Sequence, residues 1–354
     1  MKQFKAIAIA TILGSTGAAF AGNASDSSTN GIGQTAARTV SNNSPASNNP
    51  AVGDTFGLSF PIVFSGSGPD AVSIQATVDA FRDALGNLNR ADPGSRNSGR
   101  REINWDGVPD AFSSPNAFPG DFFNAPTFPR ARGAEFSTPG TELQVSATLT
   151  SGVDVEFGNF GSFLADQFVT FSPERLFAPI DSTTTFVDFF VPGTSVPATS
   201  HGFGAVFTGV DVQGFTTIEL FDLDDFSLGV WDVAQGPAQP ETLSFLGISF
   251  DAPVIAYVKI TTGNLAITAE GGGDAVAMDD FIYGEPIGVF AAGDMNCDGE
   301  VNSGDVSAFV LALIDPTSFA SEFQDCAFSN ADVNGDGAAT VGDISAFIAL
   351  LASA

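Results

Sequence analysis

Asp294-Met295-Asn296-Cys297-Asp298-Gly299-Glu300-Val301-Asn302-Ser303-Gly304-Asp305 sets oxygen-bearing side chains at positions 1, 3, 5, 9 and 12 of a twelve-residue stretch, with glycine at position 6. Asp332-Val333-Asn334-Gly335-Asp336-Gly337-Ala338-Ala339-Thr340-Val341-Gly342-Asp343 repeats the arrangement in register further along the chain. Calcium is a hard cation that takes about six to eight oxygens, and so short a loop can close round it only where position 6 accepts a sharp turn, which glycine does. Glu300 and Ala338, at position 7, would contribute backbone carbonyls, so their side chains matter little. Two copies in register are hard to reconcile with a pair of solvated acidic turns, and two Ca2+ ions are the expected cofactors.

Each loop runs into the same apolar pattern. Val306, Phe309, Val310 and Leu313 match Ile344, Phe347, Ile348 and Leu351, which are i, i+3, i+4 and i+7 positions of a helix. Asp315-Pro316 ends the first helix. Neither helix can bury its stripe alone, so the repeats should pack on each other around Phe309 and Phe347. Clustered carboxylates would repel without a cation, which couples metal binding to folding.

With Asp instead of the bidentate Glu of an ordinary EF-hand at position 12, these loop-then-helix repeats resemble a type I dockerin module over about residues 293–354. The resemblance implies a small all-α, EF-hand-like, calcium-dependent module. It docks onto a cohesin domain and so attaches a passenger to a scaffold, often in polysaccharide degradation. Carried over residue by residue, calcium ligation falls to Asp294, Asn296, Asp298, Glu300 (carbonyl), Asn302 and Asp305, and to Asp332, Asn334, Asp336, Ala338 (carbonyl), Thr340 and Asp343. The family's partner contacts centre on loop positions 10 and 11, here Ser303-Gly304 and Val341-Gly342, which lack the paired hydroxyls of many cohesin-binding members.

At the other end, Lys2 and Lys5 precede an apolar run, Ala6 to Phe20, too short to span a bilayer, and Ala19-Phe20-Ala21 offers a signal-peptidase site. Residues 1–21 therefore read as a signal peptide and 22–54, rich in Asn, Ser, Ala and Thr, as a flexible leader. No later segment is apolar for long enough to cross a membrane, so the mature protein is expected outside the cell or on its surface. In that setting Cys297 and Cys326, the only cysteines, read as a disulfide across the first loop and the connector to the second.

The chain carries 41 Asp and Glu against 12 Lys and Arg, a formal charge of −29. Residues 260–354 hold no basic side chain at all, which argues against nucleic-acid or anionic-membrane partners. Hydrophobic residues make up 44% and there are 35 phenylalanines, enough for a large core. Residues 55–100 read as a linker with one helix over about 73–85, where Ile74, Val78, Phe81 and Leu85 recur at helical spacing between a Ser73 cap and Gly86.

Residues 101–286 break into short strand-like runs punctuated by Gly, Pro, Asn and Asp: a first strand near Arg100–Asp106, then 143–149, 183–191, 204–212, 215–222, 242–250, 254–261 and 275–283. Alternation of the kind seen from Leu143 to Leu149, without helical periods, predicts an antiparallel β-sandwich, jelly-roll-like by class frequency. A short linker, 287–292, leads to the C-terminal module. Val276-Ala277-Met278-Asp279-Asp280-Phe281-Ile282-Tyr283 resembles the last strand of carbohydrate-binding jelly-roll modules. In regular strand geometry Asp279 and Asp280 point to opposite faces, so one of them needs a partner or an ion, or else the pair is solvated at an edge or bulge.

No catalytic constellation can be named. Seven glutamates of the β region (Glu102, Glu135, Glu142, Glu156, Glu174, Glu219, Glu241) show no pattern that picks out a glycosidase pair. His201, the only histidine, sits in a Pro-Ala-Thr-Ser-His-Gly stretch with no nucleophile motif and reads as a solvated surface residue. Sugar platforms favour Trp and Tyr, of which there are two each. Three function classes stay open: a secreted non-catalytic binder of glycan or surface polymer anchored by the C-terminal module, a structural or adhesive envelope protein, and a glycoside hydrolase.

Overall fold

The computed structural model describes residues 60–268, 271–323 and 326–353. The signal peptide and leader expected over 1–54 lie outside the described residues.

The chain forms β1 (Ile62–Gly68), α1 (Ala71–Leu85), β2 (Arg100–Ile103), β3 (Ala134–Ser137), β4 (Glu142–Val145), β5 (Phe177–Ile180) and β6 (Thr184–Phe189). There follow β7 (Ala198–Thr199), β8 (Gly202–Thr208), β9 (Thr217–Phe221), β10 (Ser227–Asp232), β11 (Leu243–Ser249), β12 (Tyr257–Thr261), β13 (Ala277–Gly284) and β14 (Ile287–Gly288). Last come α2 (Val306–Ile314), α3 (Pro316–Glu322) and α4 (Ile344–Ser353). The seven-stranded sheet runs β1-β11-β8-β13-β5-β4 with β2 also on β13, the five-stranded sheet runs β10-β9-β12-β6-β3, and β14 pairs with β7. All the ladders between strands are antiparallel.

Within these sheets β5-β13-β8-β11 and β6-β12-β9-β10 are the two four-stranded halves of a jelly roll: apart from the β9–β10 hairpin, each strand of that set is followed by one in the opposite sheet. The expected sandwich is therefore present, with its connectivity now resolved. Its core draws side chains from both sheets, among them Phe177, Phe203 and Phe281 from one and Val187, Ile218 and Val258 from the other. Trp105 lies at the centre, stacked on Phe177 at 4.1 Å between ring centroids and met edge-on by Phe118, Phe123 and Phe281. The phenylalanine-rich composition is spent here, on rings buried inside the sandwich.

Residues 62–85, which sequence reading leaves in a linker, belong to the sheet. β1 pairs along its whole length with β11, and α1 lays Ile74, Val78, Phe81 and Leu85 against Val206, Leu243, Phe245 and Ile282 on the sheet's second face. With both faces covered, β8, β11 and β13 are buried at every position, which is why they read as apolar runs without clean alternation. Gly204 and Gly247 are paired across β8 and β11, and a Cβ on either would come within 2.8 Å of the Phe81 ring. Two facing glycines thus open the slot that the helix fills. The helix starts at Asp70, whose carboxylate accepts from the Ser73 backbone N–H at 2.9 Å; Ser73 is therefore the capped residue and not the cap.

Candidate metal centre, docking face and buried carboxylate pair

The two C-terminal loops fold alike and share most of their hydrogen bonds. Gly299 N–H donates to Asp294 Oδ2 at 2.9 Å and Gly337 N–H to Asp332 Oδ2 at 2.8 Å. Asp298 N–H donates to Asn296 Oδ1, as Asp336 N–H does to Asn334 Oδ1. Glu300 and Ala338 N–H groups meet Asp298 and Asp336 at 3.0 Å. The position-12 carboxylates close each loop: Asp305 accepts from the N–H groups of Met295, Asn296 and Asn302, and Asp343 from those of Asn334 and Thr340. Position 6 has positive φ in both, +93° at Gly299 and +89° at Gly337, the conformation for which glycine is required.

The donor set of each loop is all oxygen, the chemistry calcium takes. One atom asks for a cation directly: Asp294 Oδ1 is buried and has no hydrogen-bond partner. Burial, together with the neighbouring charges of Asp305 and Asp298, raises the Asp294 pKa, whereas backbone N–H bonds from Thr340 and Asn334 lower that of Asp343. An orphaned, desolvated carboxylate oxygen in a ring of like charges is the local condition a bound cation relieves, so the residues fit the ion. Among the described residues no three His, Cys, Asp or Glu side chains are drawn into a closed metal cluster. The loop carboxylates are turned onto their own backbone N–H groups, and half of each ligand set is amide, hydroxyl or carbonyl.

Cys297 and Cys326 are joined in a disulfide, with Cα atoms 5.7 Å apart. Phe309 and Phe347 stack at 4.1 Å between the two repeats, in a core with Met295, Ala308, Ala312, Phe319 and Ala331. Asp315 ends α2 and at once caps α3, accepting from Ser318 N–H with Pro316 as the first helical residue. The sequence does not announce α3, because Asp315-Pro316 reads as the end of α2 and not as a new cap.

The apolar stripes are not wholly buried. On α2 only Ala308, Phe309 and Ala312 are covered and on α4 only Phe347, while Val306, Val310, Ile314, Ile344 and Ile348 stay exposed, Ile314 at 74%. These side chains and Val341, at position 10 of the second loop and 76% exposed, line one shallow apolar groove of about 300 Å³ between the helices. A helix apolar nearly all round in so small a module has more stripe than partner, and that excess was visible in Val306–Ile314 as written.

Residues 292–352 match the model of the dockerin type I domain. No curated protein matches the chain. The match covers both loops, α2, α3, all but the last residue of α4, and the apolar groove, and coincides with the segment that carries the resemblance in the sequence. The dockerin domain is a calcium-binding, protein-docking module.

In the β region, Asp279 and Asp280 do not point to opposite faces. Register on β8 slips between Met278 and Phe281, a β-bulge that places two residues opposite one, and both carboxylates reach Ser172. Asp279 accepts the Phe171 N–H at 2.6 Å, and Asp280 accepts Ser172 Oγ–H at 2.7 Å and Arg82 at 3.2 Å. Arg82, on α1, also bonds Glu102 through two nitrogens. The pair is buried, not solvated, and burial raises both pKa values, Asp279 most, with the neighbouring Asp280 charge adding to the shift. Its counter-charge is a guanidinium, which ties helix, bulge and β2 together.

His201 is half-buried against Gly284, and loss of solvent lowers its pKa; it is not the solvated residue the sequence suggested. Ser200 Oγ–H is taken up by the Gly202 and Gly284 carbonyls. Trp105 and Tyr283 are buried and offer no sugar platform, while Tyr257 stacks flat on Phe221 at 4.6 Å on the five-stranded sheet. No helix among the described residues is long and apolar enough to cross a membrane.

Proposed function

We propose that this is an exported docking protein: a dockerin module holding two Ca2+ ions attaches a non-catalytic jelly-roll domain, which recognises extracellular glycan, to a partner protein. In this reading residues 1–21 direct export, 22–54 form a leader, 62–288 the jelly roll and 292–352 the docking module. Asp294, Asn296, Asp298, Asn302 and Asp305 with the Glu300 carbonyl hold the first ion. Asp332, Asn334, Asp336, Thr340 and Asp343 with the Ala338 carbonyl hold the second. The ions supply charge neutralisation that lets the loops close and α2 and α4 stand side by side.

The observation that supports docking is the uncovered groove flanked by Val306, Val310, Ile314, Val341, Ile344 and Ile348. Apolar side chains contributed equally by two calcium-ordered helices are poorly placed for core packing and well placed for a flat protein partner. Ser303-Gly304 and Val341-Gly342 at positions 10 and 11 point to a cohesin-like partner that meets an apolar side chain where a paired hydroxyl is common. The test is binding of the full chain, with calcium and with chelator, to a panel of immobilised type I cohesin domains, beside Val310→Asp/Ile348→Asp. Calcium-dependent capture by at least one cohesin, weakened about tenfold or more in the variant, is expected. Capture indifferent to chelator and variant, or none across the panel, would sink the docking reading.

A further inference from the structure

Seven of the twelve basic side chains of this acidic protein fall between residues 82 and 132: Arg82, Arg90, Arg96, Arg100, Arg101, Arg130 and Arg132. Three of them are neutralised in the fold. Arg82 and Arg100 share Glu102, with Asp280 also on Arg82, and Arg101 is buried on Glu285 with both oxygens engaged. Arg130 and Arg132 have no ion pair among the described residues.

Of the remaining four, Arg132, Arg130 and Arg90 carry the guanidinium over a ring face, while Arg96 donates to the Ser95 carbonyl. Arg132 lies over Phe123 at 4.8 Å, Arg130 over Phe122 at 4.7 Å, and Arg90, whose carboxylate partner is the neighbouring Asp92, over Phe128 at 4.5 Å. Stacking fixes the plane of a guanidinium while leaving its N–H edge able to form the paired bonds that carboxylate and sulfate oxygens accept. Arg132 gives two of its nitrogens to the Glu102 and Pro129 carbonyls and is partly desolvated, which lowers its pKa. Arg132 feels the Glu102 charge and, against it, the Arg101 charge, and a desolvated cation hydrogen-bonded only to carbonyls is stabilised by an incoming anion.

These side chains border two adjoining depressions. A cleft of about 670 Å³ that includes Arg90, Phe128 and Asn104 meets a smaller one of about 260 Å³ that includes Arg130 and Phe122, the two sharing Asn104, Pro129 and Arg132. The larger part lies within the roughly 300–1,000 Å³ typical of ligand sites. The smaller has no acidic residue in its lining. At physiological salt, charges beyond about 8 Å are largely screened, so what the cleft attracts is decided not by the overall −29 but by its own lining. There Glu102 and Asp280 are already paired with Arg82, and Arg90 and Arg132 have no ion pair within the lining.

We propose that this arginine-on-phenylalanine cleft is the glycan site of the jelly roll and that it takes an anionic saccharide, one whose sugars carry carboxylate or sulfate groups. The inference rests on the glycan-binding reading above and adds the chemical class of ligand and the place it binds. Arg130 and Arg132 bind the anionic groups, Arg90 binds at the exposed end, and Asn104 at the junction bonds sugar hydroxyls.

The test is calorimetric titration of the calcium-loaded full chain with four probes: oligogalacturonate for carboxylates, short dextran sulfate for sulfate esters, and neutral dextran and cello-oligosaccharide. Arg130→Gln, Arg130→Gln/Arg132→Gln and Arg90→Gln are compared with Tyr257→Ala on the five-stranded sheet. Arg130 makes no side-chain hydrogen bond among the described residues and Arg90 is exposed, so these two variants keep the fold even if loss of Arg132 disturbs it. Expected is saturable binding of at least one anionic probe, about tenfold weaker in the double variant, several-fold weaker in each single arginine variant and in about 0.5 M salt, and unchanged in Tyr257→Ala. The two anionic probes tell carboxylate from sulfate recognition. Anionic binding that ignores the arginine variants overturns the proposal. Neutral-glycan binding lost in Tyr257→Ala also overturns it while leaving the glycan reading intact, and no binding of any probe removes both.

Discussion

The jelly roll and the C-terminal module solve the same problem with different resources. The first wraps two sheets and a helix round a core of aromatic rings, with Trp105 touching Phe118, Phe123, Phe136, Phe177 and Phe281. The second has one stacked pair, Phe309 on Phe347, a few alanines, a disulfide, and ten acidic or amide side chains crowded into two loops. A domain of about sixty residues buries too little to stand on its core alone, which is why such modules borrow stability from metal and disulfide. Stability in the jelly roll is thus internal, and in the module, on the reading proposed above, it is conditional on an ion. That condition also leaves an apolar face to spare for a partner.

Breaking the larger core should show the contrast most strongly. Trp105→Ala removes a fully buried ring and leaves the indole N–H partner, the Asp279 carbonyl, unmatched. A loss of about 3–5 kcal/mol in the jelly-roll unfolding transition is expected by chemical denaturation. Calcium binding by the module should persist; if it vanished with the sandwich, the two regions would not be independent in the sense used here.

Gly247→Ala is a smaller perturbation of the same region. Its new Cβ would meet the Phe81 ring at 2.8 Å and push α1 off the sheet. A cost of about 1–3 kcal/mol is expected, and the fluorescence or exchange signature should be confined to the helix side. A variant as stable as the parent would mean that α1 packs less closely than described.

A pH scan sharpens the comparison at lower cost. Burial, with the Glu241 charge, raises Glu156 to about 7. A carboxyl raised on folding stabilises fully below its unfolded value near 4.5, and the contribution fades as pH climbs through about 7. The jelly-roll melting temperature should therefore fall across that window and fall less in Glu156→Gln. Asp343 in the calcium module should act oppositely, since backbone N–H bonds lower its pKa and its contribution is lost as pH falls. Equal slopes in parent and Glu156→Gln would remove Glu156 as the cause.

How much of this was legible depended on range. The loops and the helices that follow them depend on residues a few places apart, so the sequence near Asp294 and Asp332 carries them whole, and the Phe309/Phe347 contact follows from the in-register repeat. The antiparallel sandwich was legible from alternation, its jelly-roll connectivity only from class frequency, and β1 not at all: Ile62–Gly68 is a Ser/Gly-rich stretch that becomes a strand only because β11 lies beside it. The bulge at Asp279-Asp280 is a matter of register against β8, and register is a property of two strands. Total charge hid the arginine cluster, since a sum over 354 residues says nothing of where the cations stand. The apolar groove could have been anticipated from α2, where Ser307 is the only polar residue.

The central claim, that calcium in the paired loops orders the docking module, is tested most directly by calorimetric calcium titration of the full chain beside Asp294→Ala/Asp332→Ala. Two ions should bind well below millimolar calcium, both should be lost in the variant, and jelly-roll melting should be unchanged. No heat of binding at millimolar calcium, or binding that survives the double substitution, would contradict it.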